Sequence, residues 1–255
     1  MALYREAETV VGGGNSLTPP ILTPINTGMT ADHQAAVTCE ALRLLVERCP
    51  RLVTQCYWAG TAAVALEDLH HRQSFDLDFH TRRALQDVRP ILAEVRKAFP
   101  GKFSVVHAPD EFGSGFSGTL ELPDSSRITV EVLSNYDDVD ESDLVQASSV
   151  PSLKRVSVSR YLADKIQCIV ERAEARDLVD IMSVLDRHPE MRSEALRLVS
   201  EQDALLLTER LLAWTDGSVT RDLASYNDVS PRTAMEARDM ILSWVKRAGH
   251  GGAIP

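Results

Sequence analysis

Two aspartates one residue apart, Asp76 and Asp78, stand in the run Phe75-Asp76-Leu77-Asp78-Phe79, where apolar and acidic residues alternate. A period of two belongs to a strand, so both carboxylates lie on one face and the three apolar side chains on the other. Adjacent like charges raise each other's pKa unless a cation lies between them. Mg²⁺, with Mn²⁺ as its substitute, prefers hard oxygen donors of this kind. A third carboxylate is offered by residues 127–133 (RITVEVL), where Glu131 alternates with β-branched neighbours. An unpaired buried carboxylate costs on the order of several kcal/mol, so Glu131 needs a partner. Three strand-borne carboxylates gathered on one or two metal ions suit phosphoryl or nucleotidyl transfer. In that chemistry the metal bridges phosphate oxygens and neutralises the leaving group.

Aspartates at this spacing also describe an ordinary solvated strand face. What sharpens the reading is the segment upstream. Gly60 and Thr61 open the short helical run AAVALEDLHH, which leads to the acidic strand. Glycine lets the backbone approach a ligand, and the N–H groups at a helix start favour a phosphate. A bare structural turn is the alternative at Gly60. A second polar cluster spans 165–180. Read as one helix, it brings Lys165, Arg172 and Arg176 within about 20° of one another at ~100° per residue. Three cations on one face would meet triphosphate oxygens. A break near Ala173 would instead leave the arginines shaping a turn.

These residues need elements to hold them. Residues 31–49 carry apolar side chains at helical spacing, with Asp32 as a cap and Pro50 as a stop. Residues 52–58 read as extended, 75–79 as a strand, ALQDVRPILAEVRKAF as a helix, and 103–107 as a strand. Residues 117–122 and 127–133 flank a PDSS turn and form a hairpin. Beyond 151 no strand is evident, and apolar periodicity marks helices over 159–172, 177–187, 191–200, 203–213 and 231–247. The expected fold class is α/β (α+β): a mixed sheet with flanking helices, then a C-terminal helical bundle. The expected division is a tail over 1–30, a catalytic domain over 31–150 and a helical domain over 151–255.

The run AGTAAVALEDLHHRQSFDLDFHT at 59–81 resembles the first two motifs of the AbiEii/AbiGii-type nucleotidyltransferase toxins, which include the MenT group. Arg72, Ser74, Asp76 and Asp78 fall on that pattern. KIQCIVERAEARDLVDIMSVL at 165–185 resembles a later motif through Lys165, Arg172, Arg176, Asp177 and Asp180. The resemblance covers roughly 35–190. It implies a DNA polymerase β-like nucleotidyltransferase fold. Gly60, Thr61, Arg72, Ser74, Lys165 and Arg176 would bind the nucleotide or its phosphates, and Asp177 and Asp180 would position Lys165 or assist the acceptor. It further implies an NTP substrate, a cognate antitoxin and, in some members, a tRNA acceptor. The sequence departs at Ala59, where a second glycine is common, at Arg160, where an acidic residue is common, and at Glu131, where aspartate is common.

With 255 residues, 44% hydrophobic and 25% charged, the chain has the composition of a globular protein. No stretch reaches the roughly 20 apolar residues of a membrane span. The first 30 residues lack a secretory pattern. Cys39, Cys49, Cys56 and Cys168 form no CxxC pair and read as reduced, buried thiols of a cytoplasmic protein. A net charge of −10 argues against a surface devoted wholly to nucleic acid. Two other functions use the same residues. One is nucleotidylation of a small molecule or protein side chain, and the other is a non-catalytic nucleotide-binding module.

Overall fold

Pro50 ends the first helix, α1 (Ala31–Arg48), and starts the second, α2 (Pro50–Gln55). Proline suits a first helical turn because its missing N–H has no partner to lose there. The free N–H groups of Arg51 and Leu52 are taken by the Glu94 carboxylate, at 3.0 Å each. The extended reading of 52–58 is therefore corrected: only Cys56–Ala59, strand β1, is extended. The computed structural model describes residues 31–172, 174–226 and 228–249, and the tail expected over 1–30 lies outside them.

From β1 the chain turns at Gly60 into α3 (Gly60–Val64), which continues as a π-helical turn to Leu69. Strand β2 (Asp76–Ala84), helix α4 (Arg89–Ala98) and strands β3 (Phe103–His107), β4 (Gly115–Glu121) and β5 (Arg127–Asn135) follow. Pro90 lies in the first turn of α4, where proline suits a helix start. Two short strands, β6 (Leu144–Gln146) and β7 (Lys154–Val156), pair antiparallel. β7 corrects the expectation of no strand beyond 151. A cut between 150 and 151 would fall inside this hairpin, and the sheet runs on past it. The remaining helices are α5 (Val158–Glu171), α6 (Ala175–Arg187), α7 (Arg192–Ser200), α8 (Ala204–Leu212), α9 (Asp216–Asp222) and α10 (Pro231–Gly249). α9 falls outside the segments that apolar periodicity marks as helical.

The mixed sheet has the order β3-β4-β5-β2-β1-β7-β6. β2 and β5 run parallel at its centre, as do β1 and β7, and the other pairs are antiparallel. Leu77, Phe79, Val130 and Val132 supply one sheet face to a core shared with Leu42 and Leu45 of α1 and Ile91 and Val95 of α4. The same buried cluster continues into Leu162, Ile166, Leu178 and Ile241, so the C-terminal helices pack as part of one core. Trp58 is fully buried, as a core aromatic. Cys49 and Cys56 are buried as expected, whereas Cys39 is exposed and Cys168 only partly covered. Among the described residues no helix is long and apolar enough to cross a membrane.

Candidate active site

The parallel pairing of β2 with β5 decides where the third carboxylate goes. Asp78 is in register with Glu131, and Asp76 with Thr129. Glu131 therefore stands beside Asp78 on the neighbouring strand, about 5 Å away at the backbone, with Asp76 about 7 Å along β2 on the same face. Burial pushes the Asp78 carboxyl well above the usual range, and the charges of Asp76 and Glu131 push it further. Glu131 is likewise raised, by burial and then by Asp76, against the pull of His107 and Arg172. Among the described residues no three His, Cys, Asp or Glu side chains are drawn together closely enough, as they stand, to hold a metal ion. The donor chemistry nevertheless fits a hard divalent cation: three carboxylates share one face and repel one another.

Gly60 is needed beside this cluster for two reasons. Its φ of +69° favours glycine, and an added Cβ would lie 2.0 Å from Asp78 Oδ2. The turn and the second aspartate thus occupy space that only a missing side chain leaves open. Ser74 donates its hydroxyl to Asp76 Oδ1 at 2.7 Å and orients the first aspartate.

Behind the carboxylates lies a buried ion network centred on Asp180. Arg72 grips it with Nε to Oδ1 at 2.6 Å and Nη2 to Oδ2 at 2.9 Å. Lys165 Nζ lies 2.8 Å from the same Oδ2 and 2.9 Å from Asp177 Oδ1. His71 Nε2 meets Asp180 Oδ1 at 2.8 Å. Thr61 Oγ1 accepts from Arg72 at 2.8 Å and from the Tyr161 hydroxyl at 3.1 Å. Burial opposes the Asp180 charge, yet Arg72 and Lys165 hold its carboxyl well below the ordinary carboxylate range. Burial also opposes the Lys165 ammonium, but Asp180, Tyr161 and Asp177 outweigh it and raise its pKa. The side chains of Thr61 and Arg72, two residues that the resemblance implies in nucleotide binding, are turned inward and hold Asp180.

Of the two readings of 165–180, the structure has the break. α5 ends at Glu171 and α6 begins at Ala175, so the shared-stripe angles do not hold. Arg172 spans the break to Asp177, with Nε to Oδ2 at 3.0 Å and Nη2 to Oδ1 at 2.8 Å. Arg176 bonds Glu174 at 2.6 Å and the Tyr226 hydroxyl at 2.8 Å. Both arginines remain partly exposed, at 42% and 32% of their side chains, whereas Lys165 keeps only 8%. Lys165 and Arg176 still act on the Asp78 charge, and Arg172 on that of Glu131, so the cations face the carboxylates at modest range.

The family model for the nucleotidyl transferase AbiEii toxin of type IV toxin–antitoxin systems matches residues 60–244, from the Gly60 turn into α10. The chain belongs to this family. As a member of the AbiEii nucleotidyltransferase toxins it is an enzyme that transfers nucleotides. The structure of JHP933 from Helicobacter pylori is similar at a TM-score of 0.56 and 19% identity, over 87% of this chain and 97% of that one. MenT4, a nucleotidyltransferase toxin from Mycobacterium tuberculosis H37Rv, is similar at a TM-score of 0.51 and 17% identity, over 86% of both chains. At these identities the likeness shows the shared fold alone. No curated protein matches the sequence.

In this AbiEii chain two of the three departures seen in sequence, Ala59 and Arg160, have local explanations. Ala59 ends β1 opposite Asp78 and is buried, in extended backbone that needs no second glycine. Arg160 pairs with Asp164 at 2.8 Å and Asp143 at 3.2 Å, which makes it a brace between α5 and the turn before β6. Residues 137–143, rich in aspartate and glutamate, form a capped loop: Asp138 meets Arg83, and Asp140 caps a single helical turn. The role of His71 was missed, because a histidine next to a glycine-led helix carries no mark of a partner over 100 residues away.

Proposed function

We propose that this AbiEii-family enzyme moves a nucleoside monophosphate from an NTP to a macromolecular acceptor, as the toxin of a toxin–antitoxin pair working in the cytoplasm. The observation that carries the reading is the register of Asp78 with Glu131, beside a Gly60 turn shaped around Asp78. Asp76, Asp78 and Glu131 would hold Mg²⁺. That ion, when bound, supplies charge neutralisation at the phosphates and the leaving group. The backbone of the Gly60 turn lies along the phosphates, and Arg176 and Lys165 face their charge from the α5–α6 side. Asp177 and Asp180 keep Lys165 protonated and fixed. The acceptor oxygen attacks the α-phosphorus, the α–β bond breaks, and pyrophosphate leaves. Glu131 either completes that metal site or, free of the ion, takes the acceptor proton as general base. The acceptor favoured here is an RNA 3′ end such as that of tRNA.

The test is a label-transfer assay with each α-labelled NTP, Mg²⁺ and either cellular RNA or protein extract. Transfer to RNA that is lost on Asp76→Ala supports the reading. Transfer that survives Asp76→Ala in a folded protein refutes the assignment of the metal. Label on protein alone moves the acceptor to the other class.

A further inference from the structure

The row that begins with Asp78 and Glu131 does not stop at β5. Glu131 is in register with Ser117 on β4, and Ser117 with His107 on β3. Residues opposed in register project to the same face, so Asp78, Glu131, Ser117 and His107 form one line across four strands. His107 stands about 10 Å from Glu131, two strand spacings away.

A backbone irregularity puts the histidine there. Ser104 opposes Thr119 and Val105 opposes Gly118, but the register then shifts and His107, not Val106, opposes Ser117. Val106 is the extra residue of a β-bulge, and it is left 49% exposed. A regular ladder would have set a valine in the carboxylate row and turned His107 to the other face. Bulges next to active sites re-aim side chains in this way. Ser117 is buried, and its Oγ lies 2.8 Å from His107 Nδ1. His107 itself is exposed. The Ser117 hydroxyl thus anchors one ring nitrogen and leaves Nε2 for a partner, since no described residue hydrogen-bonds it.

The rest of this face suits a chain of phosphates and sugars. The next row is Asp76, Thr129, Thr119 and Ser104, three hydroxyls beside one carboxylate. One row further, Arg127 opposes Glu121, and both Lys102 and Arg127 pair with that single carboxylate, which leaves the end of the track net positive. Lys102 and Arg127 are more than half exposed. From Arg127 to Glu131 is four residues of strand, about 14 Å.

We infer that the β5-β4-β3 face is the acceptor track of the enzyme, and that His107, aimed by the Val106 bulge and held by Ser117, is a positioning residue for an incoming polynucleotide 3′ end. Its Nε2–H donates to an oxygen of the terminal nucleotide and turns the terminal hydroxyl toward Glu131. Lys102 and Arg127 meet the phosphates behind it. This inference rests on the nucleotidyl-transfer reading and adds to it the side from which the acceptor enters.

The experiment measures label transfer from the preferred α-labelled NTP to total cellular RNA, varying RNA and NTP separately, for the wild type, His107→Ala, His107→Asn and Lys102→Ala/Arg127→Ala. One lost hydrogen bond predicts that His107→Ala raises the RNA concentration for half-maximal transfer about three- to ten-fold, with the KM for NTP unchanged. His107→Asn, which keeps a donor, recovers part of the loss. The double variant weakens RNA use and flattens its salt dependence. Melting curves verify that the variants are folded. An unchanged RNA dependence in His107→Ala overturns the inference while leaving the nucleotidyl-transfer reading intact, and so does a rise in the NTP KM alone. Wild-type transfer to protein but not RNA overturns the track. No wild-type transfer to any acceptor overturns both readings.

Discussion

Replacing Asp78 by asparagine should make the metal-free protein more stable and inactive. Asp78 is flanked by Glu131 across the strand pair and by Asp76 along its own strand, and its side chain makes no hydrogen bond with a described residue. One unit-charge repulsion at about 5 Å in an effective dielectric near 20 is about 3 kcal/mol. Solvent screening at this half-buried face lowers the net gain to about 1–2 kcal/mol. Asparagine has the shape of aspartate, so it fits the space beside Gly60 without a clash. For a chain of this size each kcal/mol moves the melting point by about 2–4 °C, so the variant should melt about 2–8 °C higher in chelator. Excess Mg²⁺ should raise the wild-type melting point and leave that of Asp78→Asn nearly unmoved, because binding to the folded state alone stabilises it. Nucleotide transfer by the variant should fall by about 10³-fold or more, the scale of losing a main electrostatic element of a site. The assay is a thermal melt by circular dichroism with chelator or with Mg²⁺, alongside label transfer. A variant that melts no higher than the wild type in chelator, or that gains as much from Mg²⁺, would refute the argument from repulsion.

The buried network makes the opposite prediction. Asp180→Asn leaves Arg72 and Lys165, at 3% and 8% side-chain exposure, without their shared anion, and should destabilise the fold by about 3–5 kcal/mol in a urea titration. Asp180 has a depressed folded pKa, so its contribution is complete above the unfolded value of about 3.9 and is lost as pH falls toward the native value. The wild type should therefore lose stability on acidification below about pH 4 with a slope that Asp180→Asn lacks, measured as urea midpoints against pH. Gly60→Ala should lower both the melting point, by the equivalent of about 1–3 kcal/mol, and transfer activity, because alanine is strained at φ +69° and its Cβ would displace the Asp78 carboxylate. A folded Gly60→Ala protein with wild-type transfer would separate the turn from the site.

The acidic strand was legible because a five-residue alternation admits one geometry: β2 places Leu77 and Phe79 in the core and Asp76 and Asp78 on the other face. Glu131 was legible as a face but not as a neighbour. Its place beside Asp78 depends on a parallel register between residues 53 apart in sequence number, and a slip of one residue would turn it to the core side. Arg72 and Thr61 entered as nucleotide-binding residues through the motif they fall on, and a motif carries no mark of a buried Asp180 more than 100 residues on. The break between α5 and α6 was one of two readings left open, because apolar spacing resumes at once in Leu178, Ile181 and Leu185. β7 is three residues long, too short for a period to show. His107 escaped notice because its face is set by the bulge at Val106, and periodicity alone assigns it to the opposite side.

The two charge clusters follow from a division of labour that the sheet and the helices impose. On β2 and β5 the carboxylates lie side by side with no cation among the described residues hydrogen-bonded to them, which is unfavourable in isolation and favourable once a positive ligand arrives. At the α5–α6 junction, Asp177 and Asp180 are wholly buried, and each is bound by two cations. A cation held this tightly cannot swing out to chase a phosphate, so Lys165 contributes a fixed field at a fixed place. Fixed dipoles and charges need no rearrangement when charge develops in a reaction, which is what gives them their effect on rate. The strained pair then supplies affinity for the metal-bound nucleotide, and the satisfied network supplies its geometry. Stabilising the first or loosening the second should therefore impair the same reaction, by opposite changes in the stability of the fold.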